Sequence, residues 1–380
     1  MNINEIDGKI LELFQVRMKL SEESLKENSK INSKVNGDVP DAVQNIEAER
    51  ETLYRMCLSA DEPFKQYAKI LFGTIFDMEH SYRNSLIIKD SPLKQKISEA
   101  VKAEGKSFPL TAIVACQGVE GAYSQIAADR IFGAARILYM RTFESVFNAV
   151  DKGLCQYGVL PIENSTAGSV TAVYDLMKKY KFSIARSVRQ RINHTLLARK
   201  DTELKKIKEI FSHEQAISQC SEFLKNNPGI KVTVCENTAA AAKMVAESGR
   251  DDIAAISSKN CAENYNLISL SDNIQNSDNN YTRFICISKD LEIYEGADKI
   301  SLIMMAENKA GSLYNILRNF SMFDLNLTKL ESRPIPGTDF EFMFYFDVDG
   351  SVKDENVLNF ISQMSLINGF TFLGNYSEIG

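Results

Sequence analysis

A chain of 380 residues, 44% hydrophobic and 25% charged, has the composition of a globular protein and the length for roughly two to four cores. Its formal net charge of -6 offers no basic footprint for nucleic acid or an anionic membrane, although local arginines or helix N-termini can still receive small acids. Seven scattered cysteines without a CxxC pair, and three histidines (His80, His194, His213) without ligand spacing, argue against a disulfide framework and a metal site.

The N-terminal MNINEIDGKI carries charges where a secretion signal needs an apolar run, and no stretch approaches the roughly 18 apolar residues of a membrane span. The expectation is a soluble cytoplasmic protein. Residues 1 to about 30 form a helical pattern, with Ile3, Ile6, Ile10, Leu13, Phe14, Arg17, Leu20 and Leu25 near one stripe. Asn36, Gly37 and Pro40 break it. Further helices are expected from about Asp41 to Ser59 and from about Pro63 to Ile87. Three such helices cannot easily bury their faces alone, which favours a dimeric helical domain.

After the charged stretch Lys89 to Lys106 the texture changes. Strands are expected at Ala112 to Cys116, Ile137 to Met140 and Tyr157 to Pro161, with helices at Ser124 to Phe132 and Phe143 to Lys152. A second run places strands at His194 to Ala198, Ile207 to Phe211, Ile230 to Cys235 and Ile253 to Ser257, and Phe284 to Ser288 follows a polar loop. This alternation predicts parallel α/β sheets. From Lys299 the order is strand Ile300 to Met305, helix Ser312 to Met322, strands Leu325 to Ser332 and Phe340 to Val348, helix Glu355 to Met364, strand Phe370 to Asn375. That is the ferredoxin-like βαββαβ order.

Three segments carry the candidate chemistry. VACQGVEGAYSQIA (Val114 to Ala127) is strand, glycine turn and helix, so the helix N-terminus can meet a carboxylate; equally, Ser124 can simply be the N-cap. YGVLPIENSTAGS (Tyr157 to Ser169) crowds Glu163, Asn164, Ser165 and Thr166 at the carboxyl end of a strand, where open α/β sheets bind ligands; a capped turn is the alternative. In Asn279-Asn280-Tyr281-Thr282-Arg283-Phe284 a polar loop enters a strand, and alternation sends Thr282 and Arg283 to opposite faces.

Together these segments closely resemble prephenate dehydratase, with its GxxGxYS turn, PIENS loop and TRF strand. His194, Ser212-His213, Gln215 and Asn237-Thr238-Ala239-Ala240 also match that family. The resemblance implies two α/β lobes of periplasmic-binding type that close on the dianion prephenate. It assigns Thr282 as the hydrogen-bond donor to the departing ring hydroxyl, with Glu163, Asn164 and Ser165 as catalytic partners. Gly121, Ala122, Tyr123, Ser124, Thr166, Arg283, Phe284, His213 and Thr238 are then expected to bind substrate. No metal or organic cofactor is called for.

In the last unit, Gly311-Ser312-Leu313 opens a helix and Glu331-Ser332-Arg333-Pro334 ends a strand; taken singly these are a cap and a turn. With the βαββαβ order and Asn326, they resemble the amino-acid-binding ACT domain. The resemblance implies a regulatory phenylalanine site at a domain–domain interface, in a homodimer or tetramer. Ser312 stands where that family commonly has alanine.

The helical end is similar to the chorismate mutase domain of bifunctional enzymes, through Ile6-Asp7-Gly8-Lys9-Ile10, Arg17 and Asn45 to Arg50. Arg17 and Glu49 fit catalytic positions. The first-helix arginine would precede Met1, the catalytic lysine falls on Asn28, Ala48 replaces the second-helix arginine, and Glu79 and Arg83 replace a polar pair. Lys26, Lys30, Lys34 or Arg83 are the substitutes available; otherwise the domain is a scaffold for dimerisation. The expected architecture is thus all-α at 1–95, two-lobed α/β at 109–290 and a βαββαβ ACT unit at 297–378. The expected function is a phenylalanine-regulated prephenate dehydratase, with a fully bifunctional enzyme or a non-catalytic amino-acid sensor as alternatives.

Overall fold

The computed structural model describes residues 1–32, 46–87, 91–101, 107–306, 308–309, 311–335 and 341–380. The break expected at Asn36, Gly37 and Pro40, the second helix before Ile46, and Lys34 lie outside them, as do the side chains of Asn28 and Lys30. The chain divides into two compact units, 1–94 with 361–367 and 95–360 with 368–380.

The first unit holds α1 (Ile3–Asn32), α2 (Ile46–Ser59) and α3 (Lys65–Ile87), the last entered through a 3-10 turn at Glu62–Phe64. Pro63 suits that turn, because a helix start leaves its N–H groups unpaired anyway. Helix α3 packs on both α1 and α2. The stripe expected on α1 divides in two. Phe14, Arg17, Met18, Ser21 and Leu25 are covered to some degree, whereas Ile3, Ile10, Leu13 and Leu20 are 75%, 57%, 69% and 60% exposed. Ile3 and Ile10 share the helix face of Arg17 and Ser21, so their exposure follows from their place near the start of this 30-residue helix, where every residue up to Leu13 is exposed.

The charged stretch at the start of the second unit contains a helix that its lysines and glutamates conceal, α4 (Pro92–Ala100), with Ile97 and Ala100 buried. The first lobe then follows as β1 (Thr111–Gln117), α5 (Tyr123–Phe132), β2 (Ala134–Met140), α6 (Phe143–Asp151), β3 (Tyr157–Asn164), β4 (Gly168–Ser169), α7 (Thr171–Tyr180) and β5 (Ser183–Arg191). The second lobe comprises β6 (Thr195–Ala198), β7 (Glu209–Ser212), α8 (Glu214–Gln219), α9 (Ser221–Lys225), β8 (Lys231–Val234), α10 (Thr238–Glu247), β9 (Ile253–Ser257), α11 (Asn260–Asn264) and β10 (Ile268–Ser271). The chain returns to the first lobe as β11 (Tyr281–Ser288). It therefore crosses between lobes twice, at 192–194 and 272–280.

The sheets are mixed rather than parallel. β1 pairs β2 and β3 in parallel, but the returning β11 runs antiparallel to both β3 and β5. In the second lobe β7, β8 and β9 are parallel, β6 runs antiparallel to β9, and β10, antiparallel to β6, has the direction of the other three. The reversed strands β6 and β11 are those through which the chain enters the second lobe and re-enters the first, a connection that periodicity cannot show.

The last segment forms β12 (Lys299–Ala306), α12 (Ser312–Met322), β13 (Leu327–Pro334), β14 (Phe342–Asp349), α13 (Glu355–Met364) and β15 (Thr371–Ile379), in the order expected. It is joined to the first lobe. β15 pairs in parallel with β5, so one sheet runs β13-β14-β12-β15-β5-β11-β3-β1-β2. Gly374 permits that junction: a Cβ there would lie 2.5 Å from the Ile184 carbonyl oxygen. A single core continues across it, with Ile303, Met343, Tyr345 and Leu373 packed together with Phe147, Tyr174 and Phe182. The Tyr345 hydroxyl donates to the Tyr174 carbonyl at 2.9 Å, and the two rings meet edge to face, a geometry that adds about 1 kcal/mol beyond burial. Among the described residues no helix is long and apolar enough to cross a membrane.

Candidate active site

Between the two lobes of the second unit lies a cleft of about 520 Å³, lined by Ala122, Tyr123 and Ser124, by Asn164, Thr282 and Phe284, and from the other lobe by His213, Gln219 and Thr238. Register explains how two distant motifs meet there. On the antiparallel pair β3 and β11, Asn164 lies opposite Thr282 and Glu163 opposite Arg283. Side chains alternate across a strand, so one pair enters the cleft and the other leaves by the opposite face.

The cleft pair is tightly specified. The Asn164 carbonyl oxygen accepts from the backbone N–H groups of Thr166 and Ala167 at 3.0 and 2.9 Å. Its amide nitrogen must therefore face the other way, donating to Thr282 Oγ1 at 2.9 Å and Asn280 Oδ1 at 2.8 Å. Because Thr282 Oγ1 is used as an acceptor, its own proton is left to donate elsewhere. Both residues are buried, 8% exposed each.

The other pair departs from expectation. Strand β3 does not end at Pro161 but runs on to Asn164, and that extension turns Glu163 out of the cleft to an ion pair with Lys329 on β13. Arg283 likewise leaves the cleft for Asp347 on β14 and for Glu378 and Tyr376 on β15. Burial disfavours the Arg283 charge, but these partners outweigh it and hold the guanidinium protonated. Ser165 also misses the cleft: its hydroxyl donates to the Asn279 carbonyl and accepts from the Tyr281 N–H, stitching the loop to β11. Thr166 turns to Asn280 at 3.4 Å.

At the glycine turn, Gly121 has a φ of +84°, and a Cβ would lie 2.7 Å from Cys261 Sγ on α11. The turn is thus wedged against the second lobe. The Gly121 N–H is committed to Gln125 Oε1 at 2.7 Å, so the groups facing the cleft come from the first turn of α5. Ala122, not Ser124, is the N-cap, since the helix starts one residue earlier than expected. Tyr123 is kept neutral by burial and donates to the Asn193 carbonyl. His213 caps α8 by accepting from Gln215 N–H at 3.3 Å, and Asn237 caps α10, presenting Thr238 to the cleft.

Two further residues, Asn280 and Gln219, stand at this site without a motif of their own in the sequence. Asn280 is 2% exposed and donates to Gln219 Oε1 at 3.0 Å, and Gln219 in turn bonds His194 Nε2 at 2.8 Å. Gln219 ends a short helix with no local pattern to mark it.

The prephenate dehydratase family profile matches residues 114–292. Over 98% of this chain and 94% of the relative, the sequence is 31% identical to a bifunctional chorismate mutase/prephenate dehydratase of Enterobacter agglomerans. The chain belongs to that family. It is an enzyme of the prephenate dehydratase class, with a helical N-terminal region and a two-lobed α/β domain. A solved prephenate dehydratase of Arthrobacter aurescens in complex with L-Phe aligns at TM-score 0.64 and 29% identity, covering 70% of this chain and 90% of that one. A solved quorum-quenching acylase, GqqA, aligns at 0.63 and 29%, covering 70% and 97%.

In the C-terminal segment of this dehydratase-family chain, Gly311 (φ +88°) caps α12, placing Ser312 and Leu313 in its first turn. Asn326 donates to Asp349 at 2.8 Å. Glu331, Ser332, Arg333 and Pro334 lie on β13, the edge strand of the sheet, and Arg333 meets Asp175 at 3.4 Å. In the helical unit, Arg17 is paired with Glu79 at 2.7 Å and lies over the Phe76 ring, Glu49 is paired with His80 at 2.6 Å, and Lys26 with Glu22 at 2.6 Å.

Proposed function

We propose that the chain converts prephenate to phenylpyruvate, with the cleft of a dehydratase domain at 109–290 as its active site. The observation that carries this is the fixed polarity of Asn164, which leaves the Thr282 proton as a donor. Prephenate loses its ring carboxylate as carbon dioxide; the electron pair of that bond enters the ring and expels the para hydroxyl, giving an aromatic product. Aromatisation drives the step, so the enzyme must orient the dianion and stabilise hydroxide as it leaves. Thr282 supplies an aligned hydrogen bond there, while solvent provides the net proton. The first turn of α5 and Ser124 are placed to receive a carboxylate, and Thr238 and His213 close the opposite wall.

The segment 297–378 acts as an ACT regulatory domain that binds phenylalanine through Gly311, Ser312, Leu313, Asn326 and Glu331 to Pro334. Support comes from the L-Phe bound to the Arthrobacter relative and from the position of β13 on a sheet edge, where a second copy can complete the site. An even-numbered homo-oligomer follows, and the exposed Ile3, Ile10, Leu13 and Leu20 give the helical domain at 1–95 a face for it.

The described residues of the helical domain favour a scaffold over a site that rearranges chorismate. That pericyclic step needs a cationic clamp on two carboxylates, and Arg17 is instead neutralised by Glu79. The test of the whole reading is to offer purified chain prephenate and follow phenylpyruvate. Formation of phenylpyruvate, suppressed by phenylalanine, supports it; an inert chain that still binds phenylalanine would be a sensor instead.

A further inference from the structure

Four side chains connect Thr282 to the far side of the hinge. Asn164, whose orientation two backbone N–H groups fix, donates to Asn280; Asn280 donates to Gln219 Oε1; and His194 Nε2 reaches the same oxygen. Asn164 belongs to the first lobe and Gln219 to the second, while His194 and Asn280 stand in the two crossings between them. The direction of every bond follows from the first. An oxygen already accepting from Asn280 can only accept from His194, so Nε2 carries the proton and Nδ1 is the lone pair of the neutral ring.

His194 is held for this task. It is 2% exposed, its ring meets Tyr123 edge to face, its N–H donates to Gln275 Oε1 at 2.9 Å, and its carbonyl accepts from Ile274. It lines the cleft, and its Nδ1 is buried without a hydrogen-bond partner. A histidine that only filled core space would not need a defined tautomer set by an amide chain ending on the candidate donor.

We propose that His194 is a positioning residue of the dehydratase step: its Nε2–H locks the Gln219 amide across the hinge, and through Asn280 steadies the Asn164–Thr282 pair. Without that donor Gln219 is free to turn its NH2 group toward Asn280, setting donor against donor and loosening the support of Asn164. The proposal rests on the dehydratase reading of the cleft, and two measurements keep their failures apart.

The first measurement needs no turnover. In full-length protein with 15N-labelled histidine, at a pH above 7.5, NMR should show His194 as the Nε2–H tautomer; the Nδ1–H tautomer would overturn the proposal whether or not prephenate is consumed. The second compares two variants with active wild type. His194→Leu should lower kcat about tenfold or more with KM within about threefold, and His194→Gln, which offers an N–H near the position of Nε2, should restore most of the loss. A His194→Leu enzyme with wild-type kcat, or a His194→Gln enzyme as impaired as His194→Leu, would refute it. A wild-type chain that leaves prephenate untouched would fail the dehydratase reading alone, and the tautomer would still decide the role of His194 in the chain.

Discussion

Thr282 and Arg283 are neighbours on β11 whose side chains serve opposite faces of one sheet: Thr282 meets Asn164 in the cleft, and Arg283 meets Asp347 and Glu378 on strands of the C-terminal segment. A single peptide unit thus ties the candidate catalytic hydroxyl to the candidate regulatory domain. The backbone that positions one cannot shift without disturbing the other.

Arg283 is 11% exposed in its side chain, and Asp347 and Glu378 are 13% and 14%. Removing the guanidinium would leave two enclosed carboxylates without their cation, and breaking a buried pair of this kind costs about 3–5 kcal/mol. Arg283→Met is therefore expected to lower the denaturation midpoint markedly, as a thermal melt would record. A melt matching wild type would mean that the cluster is hydrated and carries little of the fold.

The second link is the pair Glu163–Lys329: Glu163 on β3 is one residue from Asn164, and Lys329 shares β13 with Glu331. If phenylalanine acts by shifting the C-terminal segment, this pair transmits the shift to the PIENS loop. Lys329→Ala should weaken phenylalanine inhibition by about fivefold or more, the low end of typical coupling energies, while uninhibited turnover stays within about threefold. Inhibition curves that superimpose on wild type would assign the coupling to Arg283 instead.

Burial holds the His194 pKa below its ordinary value near 6.5, although its bond to Gln219 opposes the shift. As pH falls through 6.5 the unfolded chain therefore takes up this proton before the folded chain does. Stability supplied by the neutral ring is present above that pH and declines below it. In His194→Gln, stability should fall less steeply between pH 7 and 5 than in wild type. Parallel curves would indicate that His194 titrates alike in both states.

Chorismate given alone should not disappear faster than in buffer, because the Arg17 charge is spent on Glu79 at 2.7 Å. Rapid loss would mean that the helical unit assembles its cationic clamp from other residues, such as those beyond the described segments.

Much of this was legible before any coordinates. The bounds of α12 and α13 agree with the apolar spacing of Ser312 to Met322 and Glu355 to Met364, because both helices carry one strong apolar stripe. The three dehydratase motifs fall on the elements expected, and the opposed faces of Thr282 and Arg283 followed from strand alternation alone. What escaped was non-local. β5 was missed because Arg186, Arg189 and Arg191 interrupt its apolar pattern, although its first residues are buried. The exit of Glu163 from the cleft depended on how far β3 continued beyond Pro161, and pairing with β11 decides that. The roles of Asn280 and Gln219 come from their meeting across the hinge, 61 residues apart in sequence.

The central claim is that the Thr282 hydroxyl, aimed by Asn164, is the donor to the leaving group. Its most direct test is phenylpyruvate formation from prephenate by wild type, Thr282→Val and Thr282→Ser. The account predicts a loss in kcat of about 10² or more in Thr282→Val, with the fold intact by circular dichroism, and substantial recovery in Thr282→Ser. A Thr282→Val enzyme with near-normal turnover would contradict it.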